Sequence, residues 1–438
     1  MRLKMKKALY WFSHDLRLQD NCSLASLLKL ADKIAFVYVV DPRWVNSDNY
    51  GHKQVGYHRW QLIYQSLQQL NSQLRDHGHQ LHILYGRCEQ VIVSLVKEQK
   101  IDLLGHSQQV GVYEQSHWQK VQQPLPEVHF VSHWDSTLFS PNQLTLSEKN
   151  LASFSKFRKS VEKAPIDPYE ITAISLESLP QPMQIMDAAT AEAGWAKANT
   201  LSADVYGKTE HHHGPFIGGE LCAIDHVIAY FETDRPSSYK TTRNALDGWD
   251  NSTKMSHFLA LGNLSARQIW HHLKYYEAHY GANESTYWIG FELLWREYFQ
   301  WLALQLGSQL YRFQGGAEHE PVTQYCDDRF IQWCGGNTSH PLVNACMKEL
   351  NNTGYMSNRG RQIVASCLVN ELGIDWRFGA AYFQQQLIDH DVASNWGNWQ
   401  YIAGVGADPR GGRHFNIEKQ TQQYDPDGHY TNKWQAEE

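Results

Sequence analysis

Three segments of this chain set charged, hydroxylated and aromatic side chains at spacings that could do chemistry. In STKMSHFLALGNLSAR, residues 252–267, the hydroxyls of Ser252, Thr253 and Ser256 stand ahead of an apolar run, with Lys254 among them. Such side chains cap helices, and the same place offers backbone N–H groups and a positive dipole end that hold a phosphate; spacing leaves both open. In ELLWREYFQW, residues 292–301, Glu292, Trp295, Arg296 and Phe299 recur at helical i, i+3, i+4, i+7 intervals. One face then carries a carboxylate, an indole and a guanidinium. Glu292 and Arg296 could simply be an i, i+4 ion pair worth a few tenths of a kcal/mol, or this face could wall a planar ring.

The third segment runs from Trp333 to Asn416. Asn358-Arg359-Gly360-Arg361 opens a helix, Asp389-His390-Asp391 follows, and SNWGNWQY occupies residues 394–401. Glycine and asparagine beside each tryptophan let the backbone approach a flat ligand. Asp389 and Asp391 offer acceptors for a polar rim, or form a helix-end pair on the surface. Trp333, Trp376 and Trp399 could be core filler. His211-His212-His213 and His77-Gly78-His79 invite a metal reading, but neither has an acidic or cysteine partner at ligand spacing, so loop histidines and no metal are expected.

Positioning these groups requires two kinds of architecture. Residues 1–135 alternate apolar strands at 8–12, 34–40, 81–85 and 128–131 with amphipathic helices at 56–75 and 89–99. That order predicts an α/β domain, a parallel sheet with flanking crossover helices. No Gly-x-Gly-x-x-Gly follows the first strand and no P-loop sequence occurs, so it is not read as a dinucleotide or P-loop domain. Over residues 136–208 the periodicity fades, and the prolines within 175–184 interrupt regular structure, which predicts an interdomain connector. Residues 209–438 turn helical, at 219–233, 266–280, 286–306, 327–333, 341–353, 358–372 and 378–388, predicting an all-α domain with glycine caps such as Gly262 and Gly373.

Composition narrows the classes. The 39 Lys and Arg against 46 Asp and Glu give a net charge of −7, so nucleic acid could be held only by a local basic patch. Seven scattered cysteines without a Cys-x-x-Cys pair argue against a disulfide scaffold or zinc ribbon and for a reducing, cytoplasmic setting. No span approaches the roughly 18 apolar residues of a membrane helix. The 16 Trp and 23 Tyr point to a use for aromatic rings.

Longer motifs carry a resemblance. WFSHDLRLQDN (11–21), TLFSP (137–141), FSKFRKSVEK (154–163), TGYMSNRGRQIVAS (353–366), IDWRFGA (374–380), DVASNWGNWQYIAGVGADPR (391–410) and RHFNIEKQTQQYDPDGHY (413–430) resemble the photolyase/cryptochrome flavoproteins, DASH type. The similarity spans nearly the whole chain. It departs at 338–341, Thr-Ser-His-Pro for the family's Thr-Gly-Tyr-Pro, and at 343–345, Val-Asn-Ala for Val-Asp-Ala.

The resemblance implies an FAD folded into a U in the helical domain. Ser252, Thr253, Lys254, Met255 and Ser256 would hold its phosphates, with Tyr239 and Arg296 as further contacts. Asn358 and Arg361 would lie against the rings, Arg361 pairing with Asp389; Asp391 would meet the flavin edge and Asn395 its N5. Trp399, Trp376 and Trp333 would relay electrons from the surface, and Glu292 and Trp295 would face damaged bases. Arg243, Arg296, Arg359 and Arg413 would ring the DNA mouth, where Tyr401 replaces the Trp of duplex-repairing photolyases. A methenyltetrahydrofolate antenna is implied by family, yet Gln109 stands where the folate-binding Glu is expected. The implied activity is blue-light-driven repair of cyclobutane pyrimidine dimers in single-stranded DNA by electron transfer from reduced flavin. RNA or other nucleic acid is a further implied partner, and the chain is expected to be a monomer. The alternative is a blue-light signalling photoreceptor that binds nucleic acid or a protein partner without repair.

Overall fold

The computed structural model describes residues 5–144, 146–163, 167–168, 170–206, 214–406 and 411–435. The triple histidine at 211–213 lies outside them. Five parallel strands, β1 (Lys7–Phe12), β2 (Lys33–Val40), β3 (Leu81–Tyr85), β4 (Leu103–Gly105) and β5 (His129–Val131), form a sheet in the order β3-β2-β1-β4-β5. The apolar runs KALYWF and KIAFVYVV are buried on both faces, as a parallel sheet covered by crossover helices requires. Side chains alternate between those faces. Tyr10, Phe12, Phe36 and Tyr38 join one core, which includes Trp60 and Leu67 of α2 (Tyr57–Asp76). Leu9, Trp11, Val37 and Val39 join the other, with Ile92 of α3 (Cys88–Gln99) and Trp118 of α4 (Val112–Gln122). A short α1 (Cys22–Leu28) follows β1, capped by the Asn21 side chain. The strand β4 was not foreseen: Leu103-Leu104-Gly105 is too short to show alternation.

The expected connector is more structured than its sequence suggested. It carries α5 (Glu148–Leu151), α6 (Phe154–Lys163), a two-residue strand β6 (Gln181–Pro182) paired with the start of β2, and α7 (Ala188–Tyr206). The last packs on the sheet side, where Trp195 Nε1 donates to the Leu81 carbonyl at 3.0 Å and Ala198 is fully buried. Its sequence, AATAEAGWAKANTLSADVY, is alanine-rich, so helical propensity is high while the apolar stripe is faint.

Beyond α7 the regular elements of the described residues are all helical, the α-helices being α8 (Glu220–Phe231), α9 (Tyr239–Thr242), α10 (Ser256–Leu261), α11 (Ala266–Tyr280), α12 (Glu284–Leu306), α13 (Asp327–Cys334), α14 (Pro341–Thr353), α15 (Asn358–Ser366), α16 (Trp376–Gln386), α17 (Val392–Ala403), α18 (Ile417–Tyr424) and α19 (His429–Gln435). Instead of one helix to residue 372, α15 widens into a π turn over Cys367–Glu371, a form that accommodates a local insertion in the ladder. The Asn283 side chain accepts from the Ser285 and Thr286 N–H groups and starts α12, the long central helix.

Buried polar contacts join the two halves. Arg267 of α11 pairs with Asp20 at 2.9 Å, both enclosed, and its Nη1 donates to the Thr137 carbonyl. The Glu220 carboxylate accepts from the Leu18 and Gln19 amides at 2.8 Å each. Glu297 of α12 accepts from the Leu138 and Phe139 amides and from Trp301 Nε1. Groups this deep hold position because Arg267 and Asp20 are ion-paired and the Glu220 and Glu297 carboxyls accept N–H donors. No helix among the described residues is long and apolar enough to cross a membrane.

Candidate flavin and substrate site

A cavity of about 430 Å³ opens in the helical half. It collects residues far apart in sequence: the loop 251–256, the 292–296 face of α12, the start of α15, and Asp389, Asp391 and Tyr401 around α17. Every residue expected to touch flavin or substrate lines it, apart from Asn395, Trp399 and Arg413. Asn395 and Trp399 line an adjoining cavity of about 110 Å³ that shares Asn358, Arg361, Asp389 and Asp391. Arg413 lines neither; its Nη2 donates to the Tyr401 hydroxyl and its guanidinium lies 5.0 Å over the Tyr401 ring.

The loop at one end is not capped as its hydroxyls allowed. The N-cap of α10 is Met255, which supplies no side-chain cap, and Lys254 sits in the left-handed region at φ 51°. The Lys254 ammonium donates to Ser252 Oγ at 2.8 Å and the Gly248 carbonyl at 3.2 Å, and burial pulls it down to about 8. At the cavity floor Arg361 pairs with Asp389 at 2.8 Å while its Nε donates to the Met356 carbonyl. Burial opposes ionisation of Asp389, but Arg361 and the Ser256 hydroxyl hold its carboxyl below the usual range. The second Asp389 oxygen is buried without a hydrogen-bond partner. Asp391 has structural duties as well: it caps α17 through the Ser394 amide and accepts from Gln300 at 2.8 and 2.9 Å. The Asn395 amide nitrogen donates to the Ala380 carbonyl at 2.9 Å, which fixes the side chain between α16 and α17.

Toward the mouth, Glu292 does not pair with Arg296. Arg243 donates to Glu292 at 2.6 Å, whereas Arg296 donates to the Ser136 carbonyl at 2.6 Å, so the i, i+4 pair on this helix is not formed. Burial pushes the Glu292 carboxyl up, against the opposing pull of Arg243. Trp295 is stacked on Phe154 at 3.7 Å and meets Tyr401 edge-on at 5.9 Å. Arg359 donates to the Asn244 side chain at 3.1 Å and lies 4.8 Å over the Tyr424 ring. The expected relay departs from its premise: Trp399, Trp376 and Trp333 are 2%, 0% and 0% exposed, so none reaches the surface. Trp399 and Trp333 do meet, edge to face at 6.2 Å.

The lining residues Tyr355, Asn244 and Gln362, and the neighbouring Trp288, escaped the sequence reading. Tyr355 lies inside the quoted TGYMSNRG motif, and Lys254 stands 5.2 Å over its ring. Trp288, one helical turn before Glu292, carries the Arg243 guanidinium at 5.1 Å over its ring, and only that i, i+4 spacing could have flagged it. Asn244 and Gln362 had no signal beyond neighbouring a motif. Gln109 lies between β4 and α4 and lines neither of these two cavities; its Nε2 is buried without a partner. Asp41, Cys88 and Glu89 come close enough for a shared cation, but the Arg43 guanidinium is there, 2.5 Å from Asp41 and 2.8 Å from Glu89.

The donor set suits a dinucleotide that joins a phosphate group to a planar ring. Lys254 and the uncapped turn supply cationic and N–H groups of the kind that hold phosphates, one Asp389 oxygen is buried with a free acceptor position, and Asn395 and Trp399 line the narrower adjoining cavity. Comparison with known proteins agrees. Residues 288–437 match the FAD binding domain of DNA photolyase, and residues 8–180 match DNA photolyase. A cryptochrome DASH from Idiomarina loihiensis is 45% identical over 427 residues, covering 97% of this chain and 92% of its own. One from Vibrio parahaemolyticus is 44% identical, covering 99% and 94%. A Synechocystis cryptochrome superposes at a TM-score of 0.90 with 37% identity, covering 100% of this chain and 90% of that one. A Sulfolobus tokodaii photolyase solved with two FAD molecules gives 0.77 and 25%, covering 98% and 90%.

Proposed function

This chain belongs to the DNA photolyase family, among its DASH cryptochromes, and binds FAD; from that premise we propose that it repairs cyclobutane pyrimidine dimers in single-stranded DNA under blue light. Bound FAD supplies light absorption and one-electron donation. The observation that carries the reading is the Arg243–Glu292 pair at the mouth of the cavity whose floor is Arg361–Asp389. A signalling pocket has no need of a carboxyl at its opening, whereas a dimer carbonyl that gains negative charge is stabilised by one.

The residues divide the work by position. Ser252–Ser256, Tyr239, Asn358, Arg361, Asp389, Asp391 and Asn395 hold the cofactor, and Arg296 steadies α12 against the 136–139 segment. Glu292, whose carboxyl burial pushes up, donates in its protonated form to a pyrimidine carbonyl, and Arg243 limits how far it turns. Trp295 and Tyr401 form two walls for the extruded bases, and Arg243, Arg359 and Arg413 meet phosphates. Trp399, Trp376 and Trp333 are oxidisable rings that carry electrons inward. A tyrosine at 401 offers less stacking area than a tryptophan, so extrusion from an intact duplex, a few kcal/mol, is poorly offset. Single strands avoid that cost.

The test is light-dependent dimer loss from a short single-stranded oligonucleotide and its matched duplex, with FAD reduced. Fast repair of the single strand alone supports the reading. No repair of either favours the blue-light photoreceptor instead.

A further inference from the structure

With Trp399, Trp376 and Trp333 enclosed, an electron moving inward must start at some other, exposed and oxidisable ring. Two tyrosines near these indoles are exposed, Tyr325 at 44% and Tyr113 at 60%. The ring neighbours described for Tyr325 are Phe330 at 5.9 Å and Phe378 at 4.0 Å. Phenylalanine gives up an electron far less readily than an indole or phenol, so that approach is interrupted.

Tyr113 differs. Its ring lies 5.3 Å from Tyr311, Tyr311 lies 4.8 Å from Trp396, and Trp396 lies 5.9 Å from Trp376. Trp396 also precedes Trp399 by three residues on α17, which sets the two on neighbouring positions of one helix face. Every ring in this line is an indole or a phenol. Two of them are fixed by hydrogen bonds, Trp396 Nε1 to Gln384 and Trp376 Nε1 to the Phe313 carbonyl, both 3.0 Å. The line leaves the helical half at Tyr311 and surfaces on the first turn of α4 in the α/β half.

We propose that Trp396, Tyr311 and Tyr113 are the surface branch of the relay, so that a thiol reductant delivers electrons at Tyr113. This rests on the relay reading above and adds three residues to it. In one passage Tyr113 gives one electron through Tyr311 and Trp396 to the oxidised Trp399 and its phenolic proton to water. A thiol then returns one electron and one proton to the tyrosyl radical and leaves as a thiyl radical.

The experiment illuminates the oxidised holoprotein with a thiol and follows both flavin bleaching and the frozen-solution EPR spectrum. Tyr113→Phe, Tyr311→Phe, Trp396→Phe, Tyr325→Phe and Trp399→Phe are run in parallel, each with its FAD content measured. Tyr113→Phe and Tyr311→Phe should keep FAD, bleach severalfold more slowly and lose the tyrosyl signal, while Tyr325→Phe behaves as the parent. Parent-like bleaching and spectrum in both Tyr113→Phe and Tyr311→Phe overturn the proposal, as does loss of the signal in Tyr325→Phe instead. Should Trp399→Phe itself bleach normally, the relay reading falls first, a result distinct from failure of the branch.

Discussion

At Glu292 two environments compete: burial raises its carboxyl and the Arg243 guanidinium lowers it, with burial the larger. The protonated form is the donor to a substrate carbonyl, so repair should slow as pH rises through the Glu292 pKa. Glu292→Ala removes a charge-assisted hydrogen bond of roughly 1.5–3 kcal/mol, about ten- to a hundredfold in repair rate, with a smaller effect on binding. Glu292→Gln keeps an N–H donor and should be slowed less, with a flatter pH profile; rate against pH for the three proteins checks this. Asp389 carries the opposite sign. Its carboxyl is held low, so its contribution to stability is present above the ordinary carboxylate pKa and is lost as pH falls through the folded value. Asp389→Ala leaves Arg361 without its anion and should cost roughly 3 kcal/mol or more in a denaturant melt at neutral pH. FAD should be lost with it.

Between elements, α14 and α19 meet over a buried carboxyl. Tyr430 donates to Glu349 at 2.6 Å, and burial pushes Glu349 up to about 8, against Tyr430, Lys433 and Lys254 and with Asp247 on the same side. A raised carboxyl stabilises the fold fully below its unfolded pKa and loses that contribution as pH climbs to the folded value. Stability should therefore decline from weakly acidic pH to about 8, and Glu349→Gln should flatten the decline, as melts across that range would read. The α16–α17 contact is closer still. A Cβ on Gly379 would stand 2.3 Å from the Trp399 ring, so Gly379→Ala must displace that indole. Overpacking of this kind costs about 1–3 kcal/mol. The melting temperature and flavin photoreduction should both fall.

At the scale of the whole molecule, an acidic chain presents a small cationic mouth. Arg243 and Arg359 are each drawn inward, to Glu292 and to Asn244, and Arg413 is held over Tyr401. Few charges therefore remain for phosphates. Each phosphate contact lowers affinity by a slope of about 0.7 per decade of salt on single strands, so two or three contacts predict a shallow salt dependence. Binding titrations at several salt concentrations test it, and a steep slope would mean a larger interface than this mouth. The two halves are coupled by Arg267–Asp20, whose ion pair is enclosed between them. Arg267→Ala should lower stability by roughly 3–5 kcal/mol and loosen the 136–139 segment that Arg296 and Glu297 grip.

Period and motif fixed what depends on neighbours along the chain. Alternating apolar runs gave β1, β2, β3 and β5, and helical spacing with glycine stops gave α8 and α11 to α16 within a few residues. Contiguous motifs were long enough to mark the flavin domain. Three outcomes needed the folded chain. The alanine-rich α7 shows its role only when the sheet edge is there to pack against. The partner of Glu292 is Arg243, 49 positions away, and not Arg296 on its own helix, because the cavity turns that carboxylate toward α9. Burial of all three relay tryptophans comes from helices distant in sequence packing into one core, and the line of rings from Trp376 to Tyr113 depends on α4 meeting the segment before α13. One-dimensional spacing holds no distance between such segments; only packing supplies it.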